Sequence, residues 1–336
     1  MYHIIKFVTS CNQLSSLLHF LSVDKLNMWF WVFGWFLVLT SVIGNGLIIY
    51  LVITKPRLHT PGNNFIVSLA VADLCASLAF FPPQFCAKFI YTIDLSHAGL
   101  FFKVSFAFLY CSNTNLFAMA LDRFLAIAKP FRYIYLITEK TTWSVIVAAW
   151  ISPFLLFFFP AVFTHNNNPK YTMLVEISRI IIFQILPFVF FVTVTFHLLR
   201  VAQKVNSQIG IMTTQVRYNH ATGAVNNRPP ALSNVHFRGS TALIIMVMTA
   251  YNVTYIGWNY HCLCHLIGVC QSTKTLNHIV SIALIANTAV NPVLYSFLKK
   301  DIQREFSRLF SGKVLNPTEI VGKRHESSRP TTITGR

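Results

Sequence analysis

Charged residues are scarce in this chain: they make up 11% of its 336 residues, and only ten of them are acidic. Soluble domains carry about 25% charged residues, so the composition excludes an ordinary soluble fold. Hydrophobic residues reach 54%, with 31 Phe among them. The net charge of +17 does not predict nucleic acid binding, because the basic residues lie mostly between and after apolar runs.

Seven apolar runs are long enough to cross a bilayer, whose hydrocarbon core of about 30 Å needs about 20 residues of helix. We refer to them as the first to seventh spans. They lie at approximately Met28–Thr54, Asn63–Lys88, Phe101–Ala128, Thr142–Phe163, Met173–Val201, Ser240–Leu266 and Leu276–Leu298. The sequence therefore predicts an all-α membrane protein in the lipid bilayer, with a seven-transmembrane helix bundle over residues 28–298.

Lysine and arginine are concentrated in the segments after the first, third, fifth and seventh spans. The positive-inside rule places those segments in the cytoplasm. We expect a multi-pass plasma-membrane protein, with residues 1–27 as an extracellular N-terminus. Residues 299–310 place Ile302, Phe306 and Leu309 on one face, which predicts an amphipathic helix on the inner membrane surface. Gln203–Phe237 is expected to be a flexible loop, and residues 311–336 a disordered cytoplasmic tail.

Asp73 lies in the middle of the second span, where a carboxylate costs about 2.5–3.5 kcal/mol on insertion scales. Such a group needs partners: it either marks a functional site or is a protonated carboxyl that is hydrogen-bonded to a neighbouring helix. Asn45, Ser112, Asn287 and Asn291 also lie near span centres. Exposing these side chains to lipid would be costly, so we expect them to converge with Asp73 inside the bundle.

Several motifs follow one another on the seven spans. They are Gly44-Asn45, Leu69-Ala70-Val71-Ala72-Asp73, Asp122-Arg123-Phe124, Trp150, Pro187 and Asn291-Pro292-Val293-Leu294-Tyr295. In this order the chain resembles the rhodopsin-like (class A) G-protein-coupled receptors from about Phe30 to Phe310. Melatonin receptors and opsins are the nearest in character. The resemblance implies a receptor that senses an extracellular ligand and activates heterotrimeric G proteins, without being an enzyme.

In that family, the residues matching Asp73, Ser112, Asn287 and Asn291 form a water-filled sodium pocket. All four carry side-chain oxygen, as a hard cation requires. The resemblance thus implies sodium as an allosteric modulator at Asp73, and no other cofactor. A water-mediated network without an ion remains the alternative.

The resemblance also implies roles in G-protein coupling and activation. The residue matching Arg123 is held by the adjacent acid, here Asp122, and turns to the G protein on activation. Tyr295 matches a tyrosine that swings inward, and Pro292 lets the seventh span bend because it removes a backbone hydrogen bond. Phe131 matches a hydrophobic residue that docks into the G protein.

The usual disulfide between the third span and the second outer loop is expected to be absent, because no cysteine lies between Cys111 and Cys262. We predict instead a bridge Cys264–Cys270 or Cys11–Cys270, and the sequence leaves both open. The cysteines within or near spans are expected to be free thiols: Cys75, Cys86 and Cys111.

Three features of the fifth and sixth spans depart from the family pattern. Tyr255 and Gly257 stand where the sixth span usually has Trp and Pro. The sixth span has no acid at its inner end that could pair with Arg123, which predicts raised basal signalling. Thr195 replaces a tyrosine of the fifth span, which predicts a weakened active state.

The ligand pocket is expected at the outer ends of the spans, with Ser105, Tyr255, Asn277 and Ser281 as lining residues. Ser105 stands where amine receptors carry Asp, so an amine ligand is not expected. Ile285 replaces the retinal-binding Lys of opsins, so no retinal is expected. Glu176 and Arg179 either contact a polar ligand group or pair with each other. A small neutral molecule, an amphipathic lipid or a short peptide would suit such a pocket.

Other functions fit the sequence less well. An ion channel or transporter would need further charged groups along its pathway, and no internal repeat is evident. A receptor-like protein that does not signal remains an alternative. Ser327, Ser328, Thr331, Thr332 and Thr334 are candidate phosphorylation sites that would recruit an arrestin.

Overall fold

The computed structural model describes residues 28–89, 95–163, 169–221, 231–267 and 273–311, and almost all of them are helical. The helices are Met28–Thr54, Pro61–Phe89, Leu95–Ala128, Pro130–Leu136, Glu139–Phe163, Pro169–Ile180, Leu186–Ala221, Ala231–Ile267, Lys274–Leu298 and Lys300–Ser311. A 3-10 turn, Pro56–Leu58, precedes the second span, and a π-turn, Ile181–Ile185, lies within the fifth. This arrangement confirms the predicted all-α bundle of seven spans.

The helix of the sixth span is interrupted by polar residues. Six helices of the described chain are long and apolar enough to cross a membrane, and Ala231–Ile267 is not among them. Asn252, Asn259 and His261 lower its hydropathy. It nevertheless packs within the bundle, because Tyr251 contacts Phe191 with a ring-centroid distance of 4.5 Å.

The segment Gln203–Phe237 is more helical than expected. The helix of the fifth span continues to Ala221, and the helix of the sixth span begins at Ala231. The expectation of a flexible loop is therefore wrong over those stretches. No proline interrupts residues 203–221, and the next helix begins directly after Pro229-Pro230, as expected because proline ends or starts helices.

The third span is the centre of the bundle: it packs against the second, fourth, fifth and sixth spans, while the first packs against the second and seventh. Gly44 allows the first span to approach the seventh closely. A Cβ atom at Gly44 would lie 2.7 Å from Cγ of Pro292. This approach brings the neighbouring Asn45 within reach of the seventh span.

Prolines inside the spans explain much of the polar packing. A proline cannot donate to the carbonyl four residues earlier, and lipid provides no water to replace the lost bond. Four such carbonyls in the described spans instead accept a hydrogen bond from a side chain of another span. The bonds run from Asn45 Nδ2 to Thr288 O (3.1 Å, before Pro292), Ser105 Oγ to Ala79 O (2.6 Å, before Pro83), Asn113 Nδ2 to Phe183 O (2.7 Å, before Pro187) and Thr114 Oγ1 to Ala149 O (2.7 Å, before Pro153).

Candidate functional site

Asp73 is completely buried and bonded to two other spans. Ser112 Oγ of the third span donates to Asp73 Oδ1 at 2.5 Å, and Asn291 Nδ2 of the seventh span donates to Asp73 Oδ2 at 2.9 Å. The carboxylate therefore joins three spans at the middle of the bundle.

Asn45 and Asn287 make no bond to Asp73 in the described contacts. Asn45 Nδ2 donates to Thr288 O, and its Oδ1 has no hydrogen-bond partner in the structure. Asn287 is 2% exposed, and its Nδ2 likewise has none. Leaving a buried polar group unpaired costs about 1–3 kcal/mol.

A second polar link, which the sequence did not reveal, joins the second, third and fourth spans. Trp150 Nε1 donates to Ser68 Oγ at 3.0 Å, and Ser68 Oγ donates to Asn115 Oδ1 at 2.6 Å. Asn115 Nδ2 donates to Cys111 O at 2.8 Å. Of these residues, only Trp150 could be identified from the sequence. The contact between Ser68 and Asn115 depends on how the neighbouring helices are aligned, which the sequence does not show.

Tyr295 connects the seventh span to the third below the Asp73 level. Its side chain is 1% exposed, and its hydroxyl donates to Met119 Sδ at 3.1 Å. Met119 lies seven residues after Ser112 on the same helical face. The third span therefore carries the Asp73 contact and the Tyr295 contact one above the other.

Arg123 and Asp122 form an ion pair at the end of the third span, with 3.1 Å between Arg123 Nε and Asp122 Oδ2. We call this end of the bundle the Arg123 end. Asp122 Oδ1 also accepts a bond of 2.9 Å from the hydroxyl of Tyr133 in the helix Pro130–Leu136. Burial and the adjacent Asp122 raise the pKa of Tyr133 to about 12, so this hydroxyl stays a donor. Phe131 of the same short helix is 86% exposed.

Comparison with known proteins agrees with this arrangement. A family model described as seven transmembrane receptor (rhodopsin family) matches residues 44–295. The chain belongs to the rhodopsin family of seven transmembrane receptors. Members of this family are G-protein-coupled receptors and not enzymes.

Adenosine and olfactory receptors are among the similar proteins. Adenosine receptor A2b of Bos taurus is 27% identical over 88% of this receptor and 94% of its own length. Olfactory receptor 7A42 of Mus musculus is 24% identical over 82% of this receptor and 88% of its own length. The match to olfactory receptor 52B6 of Homo sapiens, at 29% identity, spans only 42% of each chain.

Of the predicted pocket residues, Ser105 and Tyr255 are buried against protein. The Ser105 hydroxyl, in a side chain 1% exposed, bonds to the Ala79 carbonyl of this receptor. Tyr255 stacks on Tyr251 with 4.3 Å between ring centroids. Asn277 and Ser281 are half-buried on the seventh span. Their place in a ligand pocket remains a prediction.

Glu176 and Arg179 pair with each other on the fifth span, which is one of the two alternatives that the sequence left open. The Arg179 guanidinium also lies over the Phe157 ring, 4.6 Å from its centroid, in a cation–π contact. Nearby, Gln184 Nε2 donates to the Tyr110 hydroxyl, a contact between the fifth and third spans that sequence reasoning missed.

The cysteines partly answer the disulfide question. Cys264 is disulfide-bonded, and both predicted bridges involve Cys270, which lies outside the described residues, as does Cys11. A bridge Cys11–Cys270 would leave no cysteine to bond with Cys264, because Cys75, Cys86, Cys111 and Cys262 are not in disulfides. The bond at Cys264 therefore fits only the alternative Cys264–Cys270, which remains a prediction. Cys75, Cys86 and Cys111 carry free thiols, as expected.

Proposed function

We propose that this chain binds an extracellular ligand and activates heterotrimeric G proteins, and that it has no enzymatic activity of its own. The observation that carries the proposal is a set of three contacts that follow one another along the third span. It leads from Ser112 and Asp73, through Met119 and Tyr295, to Asp122 and Arg123. Eleven residues of helix separate Ser112 from Arg123, or about 16 Å at about 1.5 Å per residue.

The proposed orientation places the Arg123 end in the cytoplasm and the N-terminus outside the plasma membrane. The excess of Lys and Arg at the Arg123 end supports this orientation. The exposed Phe131 ring would then face the cytoplasm, where a G protein has access to its apolar surface. Arrestin is a further proposed partner, through phosphorylated Ser and Thr residues of the C-terminal tail.

Sodium binding at Asp73 is part of the proposal. The donor set fits a hard cation, because it offers carboxylate, hydroxyl and amide oxygens. The unpaired Asn45 Oδ1 is a further amide oxygen that is able to accept a hydrogen bond. Asp73, Ser112, Asn287 and Asn291 would hold the ion, which would supply a positive charge that offsets the buried carboxylate. A network of ordered water is the competing occupant.

The ligand is proposed to be uncharged or weakly polar. Ser105 offers no counter-ion to an amine, and Ile285 offers no amine to retinal. Arg179 supports the same conclusion, because its charge is already balanced by Glu176. A small neutral molecule, an amphipathic lipid and a short peptide remain the proposed classes.

A screen in cells would test the function. Cells that express the chain are exposed to a chemical library, and second-messenger output is compared with cells carrying an empty vector. We expect some ligands to raise the output of the unmodified chain and of the control Arg57→Ala, whose side chain is exposed. The Arg123→Ala chain is expected to lose the response. Full output from Arg123→Ala at equal surface expression would count against the proposed mechanism.

A further inference from the structure

Arg123 has few carboxylates within reach. The sequence contains no Asp or Glu between Glu176 and Asp301, so the sixth and seventh spans and the loop before the sixth offer none. In the described structure Arg123 pairs with Asp122 through Nε. A guanidinium has four further N–H donors on its outer nitrogens. Their position must be determined by other groups at the Arg123 end.

The outer nitrogens of Arg123 lie against Gly62 at the start of the second span. A Cβ atom placed on Gly62 would lie 1.8 Å from Arg123 Nη2 and 2.9 Å from its Cζ. These distances are far below van der Waals contact, so any larger residue here would force the guanidinium to move from this position. The Arg123 guanidinium therefore packs directly against Gly62.

Asn63, the residue after Gly62, is held by Lys299, which follows the seventh span in the sequence. Lys299 Nζ, between the seventh span and the helix Lys300–Ser311, donates to Asn63 Oδ1. Asn63 is 3% exposed, and its Nδ2 donates to Leu58 O at 2.6 Å. Both ends of the Asn63 amide are thus engaged, and Lys299 fixes the start of the second span beside Gly62.

The charge of Lys299 also acts on Arg123. Burial, together with the nearby positive charge of Arg123, lowers the pKa of Lys299 to about 7, while Asp301 and Asp122 oppose the shift. The two cations are therefore close enough to repel each other. Arg123 is thus attracted by Asp122 and repelled by Lys299.

We propose that Lys299 is a positioning residue for Arg123. It holds the start of the second span in place through Asn63, and thereby keeps the backbone of Gly62 against the guanidinium. This restraint takes the place of the acid that the sixth span lacks. The proposal rests on the proposed function only in treating Arg123 as the residue that turns to the G protein.

Chemical modification of Arg123 tests this directly, without a ligand or a G protein. The purified full chain in lipid nanodiscs is treated with phenylglyoxal, and the modification rates of Arg123 and Arg57 are followed by mass spectrometry. Arg57 is the internal reference, because its side chain is exposed. We expect the Arg123 to Arg57 rate ratio to rise severalfold in Lys299→Gln and in Gly62→Ala.

Two further variants complete the test. Lys300→Gln removes the neighbouring lysine and is expected to leave the ratio unchanged, and Lys299→Arg is expected to restore most of the restraint. A ratio in Lys299→Gln equal to that of the unmodified chain would overturn the proposal, even if Gly62→Ala failed to fold. If the ratio rises as expected but every chain lacks signalling, the proposed receptor function fails while the positioning role stands.

Discussion

The hydroxyl of Tyr133 donates a hydrogen bond of 2.9 Å to Asp122 Oδ1, the carboxylate that also pairs with Arg123. The short helix Pro130–Leu136 is thereby tied to the ion pair that ends the third span. Asp122 therefore has an ion-pair partner and a hydrogen-bond partner from different elements, so a change in the position of Arg123 is expected to reach the short helix and its exposed Phe131.

Tyr133→Phe removes that tie and is expected to loosen the short helix. A hydrogen bond to a charged group contributes about 1.5–3 kcal/mol, so amides of residues 131–136 should exchange with deuterium at least severalfold faster. Tyr135→Phe is the matched control, because Tyr135 is 85% exposed. Equal exchange in both variants would show that Asp122 does not hold the helix.

Thr114→Val tests whether side chains stabilise the carbonyls left by prolines. Thr114 Oγ1 lies 2.7 Å from Ala149 O, four residues before Pro153. The variant should lose about 1 kcal/mol, measured as thermal unfolding of the purified receptor. In a Pro153→Ala background the loss should shrink, because the restored amide can bond to the carbonyl.

Thr249→Val is the control for this comparison of Thr114→Val with and without Pro153. In the described contacts the Thr249 hydroxyl bonds only to the Ile245 carbonyl of its own helix. A Thr114→Val loss that is identical with and without Pro153 would mean that the two residues act independently.

Sodium is expected to stabilise the unmodified receptor through Asp73. Thermal unfolding measured in sodium chloride should occur at a higher temperature than in choline chloride at equal ionic strength, because only the bound state gains from the ion. Asp73→Asn should abolish the difference. Asp301→Asn, which changes an exposed acid of the last helix, should keep it. No sodium effect on the unmodified receptor would exclude the ion and leave water as the occupant.

Agonist-free nucleotide exchange on a G protein should rise as the pH on the Arg123 side increases from about 6 to about 8. Lys299, with a pKa lowered to about 7, loses its charge across this range. Deprotonation weakens its bond to Asn63 and ends its repulsion of Arg123. Asp122 and Asp301 also face Lys299, so the midpoint reports the whole group. The rise should be absent in Lys299→Gln and retained in Lys300→Gln.

Parts of this site could be predicted from the sequence because polar residues are conspicuous in apolar spans. Asp73, Ser112 and Asn291 were expected to meet, and they do. Asn287 belongs to the same set, yet the structure shows no bond between it and Asp73, because helix rotation decides which amide reaches the carboxylate. The sequence also identified the prolines, but not the side chains that bond to the carbonyls before them.

The restraint on Arg123 could not be predicted in the same way. Lys299 and Asn63 are 236 residues apart, and their contact depends on how the seventh span packs beside the second. Gly62 lies in a polar stretch where glycine has many uses. Its importance comes from the Arg123 side chain lying on it, which only the three-dimensional arrangement shows. The missing acid on the sixth span predicted raised basal signalling, whereas the Lys299 restraint opposes it.

The most direct test of the account is nucleotide exchange by the purified receptor, reconstituted in vesicles with a panel of G proteins. We predict that the unmodified receptor accelerates exchange on at least one G protein above receptor-free vesicles, and that Arg123→Ala abolishes the acceleration. Exchange equal to that of receptor-free vesicles across the panel, with active ligands from the screen present, would contradict the account, as would full acceleration by Arg123→Ala.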